Sequence, residues 1–300
     1  MDKNLAPIVL FVYNRPHHTK QTLEALQKNE LAKESELFIF SDAAKNEDSK
    51  EKVNEVRKYI KKINRFKKVT VIEREKNWGL ADSIIDGVTK IINEYGKVIV
   101  LEDDLVTSPY FLKFMNEALE FYKDEKKVWH ISGWNYPIES DGLEDVFFWR
   151  LMNCWGWATW ADRWSYYEKD IDKTIKEFSK TDIKNFNLDG AENFWQQVML
   201  NKEGKINTWA IFWYATIFKQ NGLCLNPTQT FVENIGHDAS GTHCNENSFF
   251  SSNLNEKNII NFHNNIRENK KALDDVKHFY KMNKKSFISK IVDKFKRLLK

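Results

Sequence analysis

A chain of 300 residues with 42% hydrophobic and 30% charged residues is ordinary for a soluble globular protein and long enough for a sizeable core. Cys154, Cys224 and Cys244 form no CxxC pair, which excludes a disulfide framework and points to a reducing, cytoplasmic compartment. The net charge of +3 hides an asymmetry: residues 284–300 carry seven Lys or Arg against one Asp, so the body is mildly acidic and a nucleic-acid partner is excluded.

The first apolar run ends at Asn14-Arg15-Pro16, too early for a signal h-region or a membrane span. Short β-rich runs then alternate with amphipathic stretches. The pattern predicts strands over Pro7–Tyr13, Glu36–Phe40, Val69–Glu73 and Lys97–Leu101, with helices over Pro16–Gln27, Ser49–Lys62 and Leu80–Tyr95 between them. Strands separated by helices of this length imply right-handed crossovers and a doubly wound, mostly parallel α/β sheet.

Beyond residue 129 the apolar content turns aromatic: seven of the eleven Trp lie between Trp129 and Trp164. Phe194–Leu200 has helical spacing, Trp209–Phe218 is continuously apolar, and the Asn-rich stretch 245–270 is expected to be a loop or linker. In Lys284–Lys300, Phe287, Ile288, Ile291, Val292, Phe295, Leu298 and Leu299 recur at helical spacing among basic residues, the division of an amphipathic C-terminal helix. The expected organisation is 1–128 and 129–245 as two halves of one domain, 246–283 as linker and helix, and 284–300 as a basic tail.

In open parallel sheets ligands bind beyond the carboxyl ends of the strands. All four predicted strand ends are polar: Asn14-Arg15-Pro16, Ser41-Asp42, Asn77-Trp78-Gly79 and Glu102-Asp103-Asp104. Three consecutive carboxylates raise one another's pKa unless a cation compensates, and Mg2+ or Mn2+ completed by substrate phosphates is the usual compensation. The alternative is a solvated acidic turn ahead of a helix capped by Ser108, with Pro109 in its first turn.

The order VLFVYNRP, FIFSDA, NWGLADSIIDGV and VIVLEDDLVTSPYFL resembles the glycosyltransferase-A (Rossmann-like) fold of family 2 glycosyltransferases. The continuation through SGWN, WRLMNCWGWATWADRW and NFWQQVM is similar to the N-acetylglucosaminyltransferase I family, so the resemblance covers roughly residues 5 to 245. It implies a metal-dependent inverting transferase that moves a sugar from a UDP-sugar to a glycan, with bacterial surface polysaccharide such as lipopolysaccharide as the setting. It further implies that Arg15 contacts the nucleotide, Asp42 the uracil, Glu102 and Asp103 the ribose and donor sugar, and that Asp104 ligates the metal. Asn14, Asn77 and Gly79 are the remaining donor-side candidates.

The segment 234–243 resembles the family's loop that orders over the donor, with Ser240 offering phosphate contacts and His237 or His243 a further phosphate or metal contact. Trp134, Asn135, Trp155 and Trp157 are acceptor candidates, since Gly156 permits close approach of a ligand, while the other tryptophans are expected in the core. The resemblance fails at the catalytic base. The Phe194-Trp195 pair is followed by Gln196-Gln197, and glutamine accepts no proton at neutral pH. Glu192, one helical turn earlier, is the first candidate, Asp238 the second, and Asp189 and Glu233 follow.

Two other classes stand beside the transferase. A sugar nucleotidyltransferase normally has a Gly-rich loop where this chain has Tyr13-Asn14-Arg15-Pro16, and a non-catalytic carbohydrate-binding protein could have kept the fold without its base. The expected partners are a UDP-sugar, a glycan or lipid-linked glycan acceptor, and an anionic membrane surface held by the tail, with the protein peripheral on the inner face of the cytoplasmic membrane.

Overall fold

The computed structural model describes residues 5–237 and 253–283. Asp238, Ser240, His243 and the basic tail 284–300 lie outside the described residues. The first half follows the alternation closely: β1 (Ile8–Val12), α1 (Pro16–Leu26), β2 (Glu36–Ser41), α2 (Glu47–Ile60), β3 (Lys68–Glu73), α3 (Leu80–Tyr95), β4 (Lys97–Glu102), β5 (Leu105–Thr107) and α4 (Phe111–Phe121). Then come β6 (Val128–Ser132), β7 (Val146–Trp149), β8 (Trp157–Trp160), α5 (Ala161–Trp164), α6 (Ile171–Glu177), α7 (Lys180–Phe186), α8 (Trp195–Lys202), α9 (Ala210–Lys219), β9 (Leu223–Pro227) and β10 (Val232–Asn234). Residues 270–283 form a further helix, α10.

Eight strands build one sheet in the order β3-β2-β1-β4-β8-β6-β9-β7, and β5 pairs with β10 in a separate two-stranded ribbon. Strands β3, β2, β1 and β4 are mutually parallel. Because β4 and β6 are both antiparallel to β8, and β9 is parallel to β6, six strands open their carboxyl ends at one edge. This is the expected α/β class with a large, mostly parallel sheet.

The central strands are apolar and buried at every position because both sheet faces are covered: Ile8–Val12 and Val98–Leu101 are all at most 3% exposed. Gly87 on α3 makes close packing on β1 possible, since a Cβ there would meet the Phe11 ring at 2.8 Å. Six of the seven tryptophans between 129 and 164 are buried: Trp129, Trp149, Trp160 and Trp164 as expected, Trp134 and Trp157 against the expectation of an acceptor role; Trp155 is partly exposed.

Two local expectations are corrected. Helix α4 starts at Phe111 with Tyr110 as its cap residue; Ser108 instead donates its hydroxyl to the Asn255 carbonyl, 2.5 Å away, and pins a later segment of the chain. Glu192 lies in a turn outside α8, so it shares no helical face with Gln196. Within 253–283 a loop leads into α10, whose Ala272, Leu273 and Val276 are at most 5% exposed, and Glu268 bridges to Phe148 of β7.

Candidate active site

The sheet order reverses direction between β1 and β4, the switch point at which open α/β sheets bind ligands. Two of the predicted strand ends meet there. Arg15, the cap residue of α1, donates Nη1 to Asp104 Oδ2 at 2.8 Å and lies 3.6 Å from Asp103 Oδ1. The Tyr13 N–H reaches Asp103 Oδ2 at 3.3 Å, and the Thr22 hydroxyl donates to the Asp103 carbonyl at 2.9 Å. Asn14 sits half-buried beside them.

The electrostatics follow from burial of three adjacent carboxylates. Burial first, then the charges of Asp104 and Asp103, push Glu102 up to about 8, with Arg15 opposing. Burial and Asp104 likewise push Asp103 up to about 7. One guanidinium therefore compensates the triplet only in part, and the group attracts further positive charge.

A hard divalent cation fits this donor set. Among the described residues no group of three His, Cys, Asp or Glu could hold a metal by itself. A Mg2+ or Mn2+ site of one or two carboxylates completed by phosphate oxygens needs no such trio. The backbone around Asp104 also forms a cradle. Ribbon strands β5 and β10 return the chain so that the Ile235 N–H meets the Asp104 carbonyl at 2.9 Å. Gly236 then crosses the carboxylate: a Cβ there would clash with Asp104 Oδ2 and come within 2.8 Å of Arg15 Nη2.

Asp42, at the end of β2, joins the third strand end and does so more tightly than its sequence position suggests. Its carboxylate accepts four N–H donors: Ala43 N, Trp78 N and Gly79 N at 2.9 Å each, and Asn77 Nδ2 at 3.0 Å. It is 6% exposed. A carboxylate offers about four lone-pair sites, so here Asp42 fixes the 77–79 loop and with it the start of α3 at Gly79, whose φ of 73° suits glycine. Two arginines that sequence reasoning missed complete the arrangement. Arg57 donates to the Arg74 carbonyl at 2.8 Å, and the Arg74 guanidinium lies 4.0 Å from the centre of the Trp78 ring. Arg74 directly follows β3 and was findable as a strand-end residue; Arg57, inside α2, carried no such signal.

On the other side of the acidic triplet runs a file of rings. Trp155 meets His237 edge-on at 5.2 Å, Trp134 meets Trp155 at 4.5 Å, and Tyr136 meets Trp134 at 4.6 Å. Burial lowers the His237 pKa, opposed by Asp104 and assisted by Arg15. Burial raises the Cys154 thiol, and the charge of Glu102 raises it further. The file ends at a hydroxyl pair, Tyr136 Oη to Tyr280 Oη at 2.6 Å, contributed by α10 and also missed from sequence. Burial dominates the upward shift of both hydroxyls, and the charge of Glu192 adds to it.

Of the acceptor candidates, Trp155 is the partly exposed ring of the file; Trp134 is a correction, being 3% exposed and packed between Trp155 and Tyr136. Asn135 is 1% exposed and donates to the Thr228 carbonyl at 3.0 Å. Trp157 is a correction: it is 1% exposed, stacked on His130 at 5.4 Å and on Trp209 at 5.1 Å, and belongs to the core. Gly156 serves the same packing, since a Cβ there would meet Val232 at 2.8 Å. Asp189 is held by Arg150 at 2.9 Å and Lys277 at 2.5 Å, and Glu233 lies in the β5–β10 ribbon.

Residues 8–130 match glycosyl transferase family 2. No curated protein matches the chain. Among solved structures, S. aureus TarS is similar at 19% identity over 42% of this chain and 21% of its own, with a TM-score of 0.31. This chain thus spans about a fifth of the length of TarS. A mannosyltransferase from Pyrobaculum calidifontis in complex with GDP-Man and Mn2+ is 10% identical over 72% of this chain and 69% of its own, with a TM-score of 0.39. Mouse xyloside xylosyltransferase 1 is 12% identical over 72% and 81%, with a TM-score of 0.38.

Proposed function

We propose, from the premise that residues 8–130 of the chain belong to glycosyl transferase family 2, that the protein transfers a sugar from a UDP-sugar to a glycan acceptor with inversion and with the help of Mn2+ or Mg2+. The observation that carries this reading is the meeting of Arg15 with Glu102-Asp103-Asp104 where the sheet order reverses. A partly compensated carboxylate group beside a guanidinium suits a ligand that brings both a cation and a pyrophosphate.

Asp104 and the donor's phosphates would hold the metal. When bound, that ion stabilises the negative charge that develops on the departing diphosphate. Arg15 would swing from Asp104 to a phosphate oxygen, a group that a planar guanidinium binds in two-pronged fashion. Glu102 and Asp103 would accept from ribose and sugar hydroxyls, and Asp42 would act on the base end through the loop it fixes. The segment 234–243 would order over the donor with Gly236 at its hinge; Ser240 and His243 keep their phosphate or metal roles in this proposal.

In the transfer step the acceptor oxygen forms a bond to the anomeric carbon as the bond to the diphosphate oxygen breaks, and a base takes the acceptor hydroxyl proton. Glu192 is the proposed base, the carboxylate nearest in sequence to the Gln196-Gln197 pair that stands where the resemblance implies one. Asp238 is the alternative. Trp155, the partly exposed ring of the file, would present an apolar face to the acceptor sugar. The basic amphipathic segment 284–300 supports peripheral attachment to an anionic membrane, which suits a lipid-linked acceptor in surface polysaccharide synthesis.

Incubation of the full chain with a panel of nucleotide sugars, with and without Mn2+, tests the reading. Slow metal-dependent release of UDP from one donor is expected. Sugar binding with no nucleotide affinity would instead make the protein a carbohydrate-binding one, and nucleotidyl transfer from UTP to a sugar phosphate would make it a nucleotidyltransferase.

A further inference from the structure

The same sheet edge holds a second concavity away from the acidic triplet. Beyond the carboxyl ends of β6 and β9, and before β7, lies a pocket of about 400 Å³. Tyr136 forms one wall, and Ser140, Asp145, Gln229, Asn253 and Lys257 contribute polar groups. From this geometry we infer that the pocket is a carbohydrate subsite: it binds one sugar unit of an oligosaccharide acceptor, remote from the hydroxyl that reacts. This inference rests on the transferase reading for the word acceptor, but not for the sugar.

Three properties select an uncharged polyol. The lining is rich in amides and hydroxyls, with apolar surface from Tyr136, Pro137, Ile138 and Leu143, and sugars present hydroxyls around C–H faces in the same mixture. The charged side chains in the lining are Glu144, Asp145 and Lys257; the lining holds no arginine to clamp a phosphate, and Lys257 is already held by Asp145 at 2.8 Å.

The walls are also held in place before any ligand arrives. Asp145 accepts from Lys257 Nζ at 2.8 Å, Asn261 N at 3.0 Å and Asn261 Nδ2 at 2.7 Å. Asn255 ties the segment after residue 252 down, through its N–H to the Thr230 carbonyl at 2.6 Å and its carbonyl to the Ser108 hydroxyl. Fixed polar groups lower the ordering cost of binding a flexible saccharide.

Position supplies the link to catalysis. Tyr136 is both a wall of the pocket and the end of the ring file that leads through Trp134 and Trp155 to His237 beside Asp104. An oligosaccharide spanning the rim from the partly exposed Trp155 to the pocket has one unit at the transfer site and another in the pocket.

The test uses saturation-transfer NMR on the full-length protein with a mixture of neutral and N-acetylated tri- and tetrasaccharides, and calorimetry with UDP and Mn2+ on the same samples. Gln229→Trp and Ser140→Trp fill the pocket from two exposed lips, so a folding fault in one is controlled by the other. At least one saccharide is expected to show saturation that falls fivefold or more in both variants, with UDP affinity unchanged. Equal saturation in wild type and both variants, or none in the wild type, overturns the subsite. A wild type that fails to bind UDP while its saccharide signal still falls in both variants would sink the transferase reading and leave the sugar pocket standing.

Discussion

Asp104 and Asp42 are both strand-end aspartates, yet their surroundings give them different work. The Asp104 carboxylate faces Arg15 and the Gly236 backbone, outside the apolar core. Asp104→Ala is therefore expected to abolish transfer and Mn2+-dependent UDP binding while the thermal transition persists; metal-dependent binding that survives in calorimetry would remove it from the metal site. The Asp42 carboxylate satisfies four donors, three of them backbone N–H groups. Asp42→Ala is expected to cost stability, about 1–3 kcal/mol for donors left unpaired, together with donor affinity. Urea unfolding at unchanged midpoint would contradict that organising role. His130 offers a cleaner electrostatic case. It is fully buried, donates to the Asn153 carbonyl at 2.9 Å and accepts from Trp213 Nε1 at 3.2 Å. Burial lowers its pKa from 6.5 to about 3, so its neutral form contributes stability that is complete above pH 6.5 and lost as pH falls toward 3. The unfolding free energy is expected to fall in that window with up to about 1.4 kcal/mol per pH unit from this group. His130→Gln should flatten the slope, and parallel slopes in the two proteins would contradict the assignment.

At the scale of elements, α10 carries more than its position after a polar stretch suggests. Its inner face buries Ala272, Leu273 and Val276, Lys277 reaches Asp189, and Tyr280 meets Tyr136. The Arg150–Glu268 pair at 2.7 Å fixes the approach to the helix. A chain ending at Asn261 is expected to lose about 3–6 kcal/mol from Leu273 and Val276 alone, whereas one ending at Met282 keeps its stability. Equal thermal transitions for the two truncations would contradict docking of α10. The ribbon of β5 and β10 has the complementary role: three residues from each strand place Gly236 on Asp104, a contact between residues more than a hundred positions apart.

For the whole molecule, the governing fact is that six parallel strands open at one edge, so the acidic triplet, the ring file and the polar pocket share one rim. Among the described residues no helix is long and apolar enough to cross a membrane. Membrane contact, as proposed, falls to 284–300, where seven basic residues accompany an apolar face. Flotation with anionic liposomes is expected for the full chain at low salt, weaker at high salt, and absent for a chain ending at Met282. Identical flotation of both would end the anchor proposal.

The sequence by itself determined the parallel half, including the span Leu80–Tyr95 and the polar ends of four strands, because strands covered on both faces read as unbroken apolar runs and their helices as 3.6-residue periods. It also marked Arg15 and Glu102-Asp103-Asp104 as members of one site, since a sheet-edge rule needs only strand direction. The tertiary structure alone decided the rest. Trp155 and Trp157, two residues apart with the same chemistry, part company because β8 begins at Trp157 and inserts between β4 and β6, a pairing of distant segments that no local pattern records. The partners of Asp42 and of Tyr136 likewise come from elsewhere in the chain, and hydrogen-bond saturation is a property of the packed neighbourhood that residue type does not encode.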